Sequence, residues 1–581
     1  MDIFSFITLF GGLAFFLYGM NVMSTGLEKI AGGKLESILK KMTSNVFKSL
    51  FLGAAITIAI QSSSALTVML VGLVNSGIME LSGTIGVIMG SNIGTTLTAW
   101  ILSLTGIESD NVFLRLLKPE AFSPIFAFVG IILLMCAKKT KKRDVGKIMI
   151  GFSVLMYGMQ LMSGAVSPLA DMPEFSSILT AFTNPILGVI VGALFTGVIQ
   201  SSAASVGILQ ALSLTGSISY SMAIPIIMGQ NIGTCVTALL SSIGVNKNAR
   251  RVSAVHISFN IIGTIICLIA FYAANAVLKF DFVAESINPV GIAFVHSIFN
   301  IVTTAILLPF TKQLEKLAKL IVRGDSVGDS VELLDERLLA TPAVAIARCK
   351  ELTVEMAELA SSSFLKSMDL IFNFNETVAE QIDNDENTTD MYEDKLGSYL
   401  VKISGRSLTM EDSHDASNLL HTIGDFERIG DHASGMVKAA REINEKGIVF
   451  SGDAKNEIIT ISKAVSEILS LTLEAFKNDD LEVAKRIEPL EQVVDKLKYK
   501  LKNMHISRLQ QGECTIEMGF IFSDLLTNYS RVADHCSNVA VCLIQVADDS
   551  FDTHEYLNNM KSHGDNTFDE MYRAYKKKYN V

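Results

Sequence analysis

The sequence predicts an all-α protein in two parts: a polytopic membrane domain, followed by a cytoplasmic pair of three-helix bundles. Hydrophobic residues make up 49% of the 581 residues, and they are concentrated in long apolar segments that end near Pro309. From about Lys312 onward the chain is polar, charged and typical of amphipathic helices. Residues 1–311 hold 17 basic and 12 acidic side chains, whereas the remainder holds 31 and 47. An acidic second part argues against nucleic acid as a partner.

Domain boundaries follow from these composition shifts. We expect a membrane repeat at 1–138, a second repeat with a final span at 139–311, a linker at 312–340, a helical domain at 341–548 and a tail at 549–581. None of the seven cysteines forms a CxxC pair, so reduced, mostly buried thiols are expected. The first apolar segment lacks a basic flank and is long enough to remain as a span.

The apolar part contains an internal duplication. An ungapped comparison of 45–99 with 184–238, an offset of 139, gives 23 identities in 55 positions. The polar residues stay in register, because the block QSSS at 61–64 returns as QSS at 200–202, and GSNIGTTLT at 90–98 returns as GQNIGTCVT at 229–237. Shared apolar composition alone would not align polar residues, so the pattern indicates a duplicated membrane unit.

Basic residues in short loops indicate that the two copies run in opposite directions through the membrane. Loop 28–48 has five lysines, its repeat partner 167–187 has no basic residue, and linker 138–147 has six. We therefore expect the amino terminus outside and the carboxyl-terminal domain in the cytoplasm. The crossings balance only if 49–74 and 186–214 each enter and leave on one side, as re-entrant hairpins.

The repeated polar blocks predict a binding site where the inverted copies meet near mid-bilayer. Hydroxyls and amides offer neutral donors and acceptors, and broken helix ends add N–H groups for an anion and carbonyls for a small cation. The motifs contain no Lys, Arg, Asp or Glu, so a bound anion would need co-bound cations. Helix packing through Ser and Gly, a channel, and an intramembrane hydrolase using His256 or His296 are the alternatives. A polar contact between helices is the simpler interpretation of these histidines.

These doubled blocks resemble the sodium-dependent phosphate cotransporters of the type II family, bacterial branch. The resemblance covers roughly 1–311 and implies sodium-coupled import of inorganic phosphate by alternating access across the cytoplasmic membrane. A symporter for another oxyanion or coupling ion is the alternative. The ligands for phosphate and Na+ carried over by motif are Gln61, Ser62, Ser63, Ser64, Asn92, Thr95 and Thr98 in one half-site, and Gln200, Ser201, Ser202, Asn231, Thr234 and Thr237 in the other. The second copy departs from the pattern at Ala203 and Cys235.

The second part predicts six long helices with a duplication of their own. FERIGDHAS at 426–434 returns as YSRVADHCS at 529–537, an offset of 103, which indicates two three-helix bundles. The sequence leaves open whether the tail is helical or disordered. The helices are expected at about 343–373, 376–403, 411–445, 453–477, 479–508 and 513–548.

Acidic pairs four positions apart make this part a candidate metal site. Such pairs place two like charges on one helix face, and a cation shared between neighbouring helices would compensate them. The part resembles PhoU, a phosphate-signalling regulator whose helices carry E-x-x-x-D metal motifs, and this implies a divalent or iron cluster. The carried-over ligands are Glu386, Asp390, Glu427 and Asp431 in the first bundle, and Glu491, Asp495 and Asp534 in the second. Ser530 stands where the second bundle should have a glutamate, and Arg428 and Arg531 offer rival salt bridges.

Together the two parts predict a symporter of the cytoplasmic membrane with a regulatory domain, and not an enzyme. The expected partners are inorganic phosphate, sodium and the lipid bilayer. A metal-dependent sensor whose membrane part no longer transports is a further alternative. The sequence leaves the oligomeric state open, a homo-oligomer included.

Overall fold

The chain folds into two compact helical units. The computed structural model describes residues 3–31, 45–106, 119–168, 183–324, 333–406, 408–548 and 566–580. Contacts divide the chain into Met1–Val344 and Ala345–Val581. Across the described residues, regular structure is helical, and one isolated bridge joins Ser219 to Ser286. The predicted all-α class is therefore confirmed.

Six helices of the first unit, counted over the described residues, are long and apolar enough to cross a bilayer. They are α1 (Ile3–Ala31), α4 (Leu81–Ser103), α6 (Thr140–Val166), α9 (Tyr220–Ser241), α10 (Lys247–Leu278) and α11 (Pro289–Leu307), the last continuing towards α12 (Thr311–Ile321). Shorter apolar helices lie between them: α2 (Val46–Ile60), α3 (Ser63–Asn75), α5 (Pro119–Cys136), α7 (Pro185–Ile199) and α8 (Ser202–Ser213). Most of the two loops that carry the predicted orientation, at 32–44 and 169–182, lies outside the described residues, so orientation stays a prediction.

Each predicted hairpin consists of two short helices that are broken at the polar block. Helix α2 ends at Gln61, whose φ of 57° is left-handed, and α3 follows Ser62, whose hydroxyl caps it by accepting from the Ala65 N–H. The second copy repeats this break at Gln200, also with a φ of 57°, and Ser201. The arms contain 15, 13, 15 and 12 residues. At about 1.5 Å per residue, no arm alone crosses a hydrocarbon core about 30 Å thick.

Glycines bring the first arm of each hairpin into backbone contact with the following span. A Cβ on Gly53 would lie 2.1 Å from the Val87 carbonyl oxygen, and one on Gly90 would lie 1.9 Å from that of Leu50. Such distances exclude any side chain, so glycine is required at this approach. The second copy repeats both contacts: Gly192 with Ile226 at 2.2 Å, and Gly229 with Val189 at 2.1 Å. The duplication read from the sequence is therefore also a duplication of packing.

The two copies meet through reciprocal contacts. Arm α3 packs against span α9 of the other copy, and arm α8 packs against span α4. Buried apolar side chains from both copies fill the space around these contacts, among them Leu102 and Ala204 in one cluster and Ala99, Val206 and Ile227 in another. This exchange places the returning arm of each hairpin against a span of the other copy.

The second unit contains the six predicted helices: α13 (Pro342–Leu370), α14 (Glu376–Ser404), α15 (Met410–Lys446), α16 (Gly452–Asn478), α18 (Ile487–Gln510) and α19 (Ile516–Asp548). The helix expected at 479–508 is divided, because a short α17 (Leu481–Ala484) precedes α18. Pro489 explains the division, since in a continuous helix its ring would clash with the carbonyl of Lys485. A further helix, α20 (Asn566–Lys578), lies in the tail.

The two bundles pack together through α15 and α19, the helices that carry the repeated motif. His432 Nδ1 lies 2.8 Å from Asn528 Oδ1, and His535 Nδ1 lies 2.9 Å from Asp425 Oδ1. Both the histidines and their partners are offset by 103 residues, so the two hydrogen bonds are equivalent under the duplication. The internal repeat therefore also organises this interface.

Candidate functional site

The glutamines at the hairpin breaks are the first feature of the site. Non-glycine residues in the left-handed region carry about 1–2 kcal/mol of strain, and such strain is found at functional sites. Gln61 Nε2 donates to the Ile58 carbonyl at 2.7 Å, and Thr98 Oγ1 donates to Gln61 Oε1 at 3.0 Å. The second contact joins the two predicted motifs of the first half-site. In the second half-site, Gln200 has the same backbone but an exposed side chain.

The serines of both blocks lie at the amino termini of the returning arms. Ser62 and Ser201 are N-caps, and their hydroxyls accept from the N–H groups of the first turns. Ser63 and Ser202 begin α3 and α8, and both are buried. A helix amino terminus presents unpaired N–H groups and a partial positive charge, which suits a bound anion. Both half-sites therefore offer anion-binding groups without using a charged side chain.

The asparagines of the second motif are held by residues that the sequence did not assign to the site. Asn92 Nδ2 donates to Asn260 Oδ1 at 2.9 Å, and both side chains are buried. Asn231 Nδ2 donates to Asn300 Oδ1 at 3.3 Å, and Asn231 Oδ1 lies 3.3 Å from His296 Nε2. Helices α10 and α11 thus support one half-site each.

A signal for these supporting residues is present in the sequence. HISFN at 256–260 and HSIFN at 296–300 place a histidine and an asparagine four positions apart, on one face of a helix. In each motif the asparagine Nδ2 also donates to the carbonyl of its histidine, at 2.9 Å. The contact of His296 with Asn231 joins α11 to α9, and this is the polar contact between helices that the simpler interpretation expects.

The threonines use their protons within the protein and keep oxygen lone pairs. Thr95 donates to the Ser91 carbonyl at 3.0 Å, Thr234 to that of Gln230 at 3.0 Å, and Thr237 to that of Thr234 at 2.9 Å. A hydroxyl oxygen that donates its proton elsewhere can still act as a cation ligand. This geometry suits sodium better than an additional hydrogen bond to an anion.

Cys235, one of the two departures from the motif pattern, is part of the same network. Asn260 Nδ2 lies 3.3 Å from Cys235 Sγ, while Asn260 Oδ1 accepts from Asn92. Asn260 therefore contacts both copies of the duplicated unit. Among the described residues, His256 Nδ1, His296 Nδ1 and Gln230 Oε1 are buried polar atoms without a hydrogen bond, as are Gln210 Oε1 on α8 and Thr304 Oγ1 on α11. Water or an ion would satisfy such groups.

The geometry offers no support for the hydrolase alternative. Nucleophilic catalysis by serine needs a base within hydrogen-bonding distance of the hydroxyl. Within the described residues of the first unit, no hydrogen bond joins a serine to a histidine. A cavity of about 550 Å³ between α9, α10 and α11 has no residue of the repeated polar blocks in its lining, which is mainly apolar and includes Phe271, Phe282 and Phe299.

The acidic cluster of the second unit brings three of the predicted ligands together. Carboxylate oxygens of Glu386, Asp390 and Asp431 lie within 4.8 Å of one another. Burial, reinforced by Asp431, raises the pKa of Glu427 to about 7, and burial with neighbouring carboxylates also raises the pKa of Glu386 and Asp390. Arg428 Nε approaches Glu427 at 3.5 Å. Burial is the main cause of these shifts and the neighbouring carboxylates add to it, so a cation at this position would stabilise the charged forms of the carboxyl groups.

The second bundle arranges its predicted ligands differently. Within the described residues, Glu491, Asp495 and Asp534 do not form a comparable carboxylate triad. Arg531 instead pairs with Asp534 at 3.2 Å, and Lys498 Nζ donates to Ser530 Oγ at 3.1 Å. The Arg531 guanidinium therefore already pairs with Asp534, one of the predicted ligands, and a metal ion would have to compete with it.

Comparison with known proteins identifies relatives of both parts. The Na+/Pi-cotransporter family model matches residues 15–164 and again 154–295, and the PhoU domain model matches 353–440 and 458–543. YjbB of Escherichia coli K12, whose name provisionally assigns it to inorganic phosphate export, is 22% identical over 94% of this chain and 99% of its own. Sodium-dependent phosphate transport protein 2A of Rattus norvegicus is 33% identical over 31% of this chain and 30% of its own. The crystal structure of PhoU from Pseudomonas aeruginosa is 19% identical, with a TM-score of 0.34, over 35% of this chain and 97% of its own.

Proposed function

Because residues 15–295 belong to the Na+/Pi-cotransporter family and residues 353–543 contain two PhoU domains, we propose that this membrane protein imports inorganic phosphate together with sodium. The observation that carries the proposal is the break in each hairpin. There a left-handed glutamine and a serine N-cap start a new helix, so that a helix amino terminus lies within each polar block. A site that suits a small anion is consistent with the match to a family of phosphate cotransporters.

The neutral motifs explain why transport would be coupled to sodium. Phosphate carries one to two negative charges near neutral pH, and the site motifs contain no cationic side chain to offset them. N–H groups of α3 and α8 bind the phosphate oxygens, while amide and hydroxyl oxygens bind sodium. Each ion then raises the affinity for the other by the same factor, as thermodynamic linkage requires.

The reciprocal packing of the hairpins supports alternating access. Each hairpin lies against a span of the other copy, so a movement between the copies exposes the site to one side at a time. An inward sodium gradient then drives phosphate inward. The name of the relative YjbB favours a second candidate, phosphate export, and the two differ only in the direction of net flux.

Transport by the full-length protein in liposomes tests the proposal. Labelled phosphate should accumulate when sodium is high outside, and should not accumulate in potassium alone. Uptake driven by a proton gradient without sodium would refute sodium coupling. Net efflux from phosphate-loaded cells, with no uptake under a sodium gradient, would favour export.

Variants then test the site itself. Gln61→Ala combined with Gln200→Ala should abolish uptake. Thr8→Ala, which removes an exposed hydroxyl on α1, is the matched control and should transport as the wild type does. Retained uptake in the double variant would show that the polar blocks only pack helices.

The acidic cluster of the second unit supports a regulatory cation site. A divalent or iron cation there would bind Glu386, Asp390 and Asp431 and would reduce the repulsion between α14 and α15. Metal content of the full-length protein should fall in Asp390→Asn/Asp431→Asn. Asp524→Asn, at an exposed position of α19 outside the predicted ligand set, is the control, and equal metal content in all three proteins would remove these ligands from the account.

A further inference from the structure

Residues 335–340 pack into the first unit, although their sequence suggests a linker. They contain a turn of 3₁₀ helix, Glu336–Ala340, in which Leu338 is fully buried. Leu338 lies over α3, because a Cβ on Gly72 would come 2.9 Å from Leu338 Cδ2. This segment therefore contacts the returning arm of the first hairpin.

A buried carboxylate fixes the segment in place. Asp335 has 0% of its surface exposed, and Asn75 Nδ2, at the end of α3, donates to its Oδ2 at 2.6 Å. Arg337 Nη1 lies 3.1 Å and 3.2 Å from the two Asp335 oxygens. A buried aspartate is tolerated only when it is paired and hydrogen-bonded, so these contacts define a specific arrangement.

The same residues contact the other copy of the duplicated unit. Arg337 Nε donates to the Ser241 carbonyl at 2.7 Å, and Arg337 Nη2 donates to that of Ile243 at 2.7 Å, both at the end of α9. The Asn246 N–H donates to Asn75 Oδ1 at 2.9 Å, and Asn246 Nδ2 donates to the Asn75 carbonyl at 3.0 Å. One cluster thus joins the hairpin of the first copy to the α9–α10 turn of the second.

We propose that Asn75, Asn246, Asp335 and Arg337 form a latch that holds the two copies together at one end of the membrane unit and must open during each transport cycle. This inference rests on the proposed function, because alternating access requires the copies to separate at that end.

Hydrogen exchange on the full-length protein tests the latch without any transport. Asp335→Ala should accelerate exchange of the amides at 72–78 and 241–247 by at least about tenfold, because the removed contacts hold both segments. Gln313→Ala removes an exposed side chain on α12 and should exchange as the wild type does. Equal exchange in all three proteins would overturn the latch.

A reversible lock tests the requirement for opening. Asn75→Cys/Asn246→Cys places two thiols at adjoining positions, and oxidation should abolish phosphate transport while a reductant restores it. The wild type with the same oxidant controls for the native cysteines. Equal transport by the oxidised and reduced forms, with the disulfide verified by mass, would show that transport does not require the latch to open. Because the exchange experiment needs no transport, failure of the proposed function would leave its result unaffected.

The rate of transport gives the sign of the control. Asp335→Ala should raise the initial rate at saturating phosphate and sodium at least about twofold, since a weaker latch favours separation of the copies. A rate equal to that of Gln313→Ala, or lower, would contradict a restraining role.

Discussion

Asn92 Nδ2 donates a hydrogen bond to Asn260 Oδ1, and replacing Asn260 with alanine removes this acceptor. Both residues are buried, so Asn92 would keep an amide donor without a partner. An unsatisfied buried donor costs about 1–3 kcal/mol. If Asn92 must hold this orientation to bind its ligand, this free-energy cost raises the KM for phosphate or sodium about 5- to 150-fold.

The second half-site supplies a matched comparison. Asn300→Ala removes the equivalent bond to Asn231, but His296 Nε2 still contacts Asn231 Oδ1 at 3.3 Å. Asn231 Nδ2 also loses its acceptor, but because the contact with His296 still orients the amide, the expected rise in KM is smaller than that of Asn260→Ala. The order of the two effects therefore follows from the number of hydrogen bonds on each asparagine.

Initial rates of uptake into liposomes, measured over a range of phosphate and sodium concentrations, separate KM from the maximal rate. A double-mutant cycle with Asn92→Ala should give a coupling energy above about 0.5 kcal/mol for the pair with Asn260. Additive effects of Asn92→Ala and Asn260→Ala, or a larger effect from Asn300→Ala, would refute the positioning role.

Three further predictions concern packing, protonation and topology. Gly90→Ala should destabilise the membrane unit by about 1–3 kcal/mol in thermal unfolding, since the added Cβ would meet the Leu50 carbonyl. Gly11→Ala is the control, because its Cβ would enter open space and should leave stability unchanged. Equal melting temperatures of the two variants would contradict this. The raised pKa of Glu427, about 7 against 4.5, means that stability falls as pH rises between these values. In chelator, Glu427→Gln should therefore melt above the wild type at pH 8 but not at pH 4, and a pH-independent difference would exclude the protonation effect. Cysteines at Leu35 and Phe175 should react with impermeant reagent from opposite faces, and labelling from one face would end the inverted arrangement.

The breaks in the hairpins could be predicted because local signals specify them. A polar block within an apolar stretch, two arms too short to span, and basic loops that fix the count of crossings all lie in the sequence. The structure places the breaks at Gln61 and Gln200, within those blocks. The left-handed backbone of the glutamines was not predictable, because such a conformation is usually assigned to glycine or asparagine.

The residues that support the site were harder to predict, because they lie outside the ungapped alignment of 45–99 with 184–238. Asn260 and Asn300 are on α10 and α11, which follow the repeated segments, so the offset of 139 does not find them. Asp335 was missed for a related reason. An aspartate in a polar segment predicts a solvated linker, whereas its partner Asn75 lies 260 residues earlier in the chain. Only the folded chain brings these groups together.

The two duplications show why a symmetric fold carries unequal sites. Packing requires the same small residues in both copies, and the glycine contacts of Gly53 and Gly192 are accordingly equivalent. A ligand requires only that the combined set of donors be sufficient, so one copy can lose groups. Cys235 replaces a hydroxyl in the membrane unit, and Ser530 replaces a carboxylate in the helical bundles. In each unit the altered copy keeps its backbone geometry while a neighbouring side chain, Asn260 or Lys498, contacts the replaced position. Duplication thus maintains the scaffold, and the side chains of the two copies differ where packing places no demand on them.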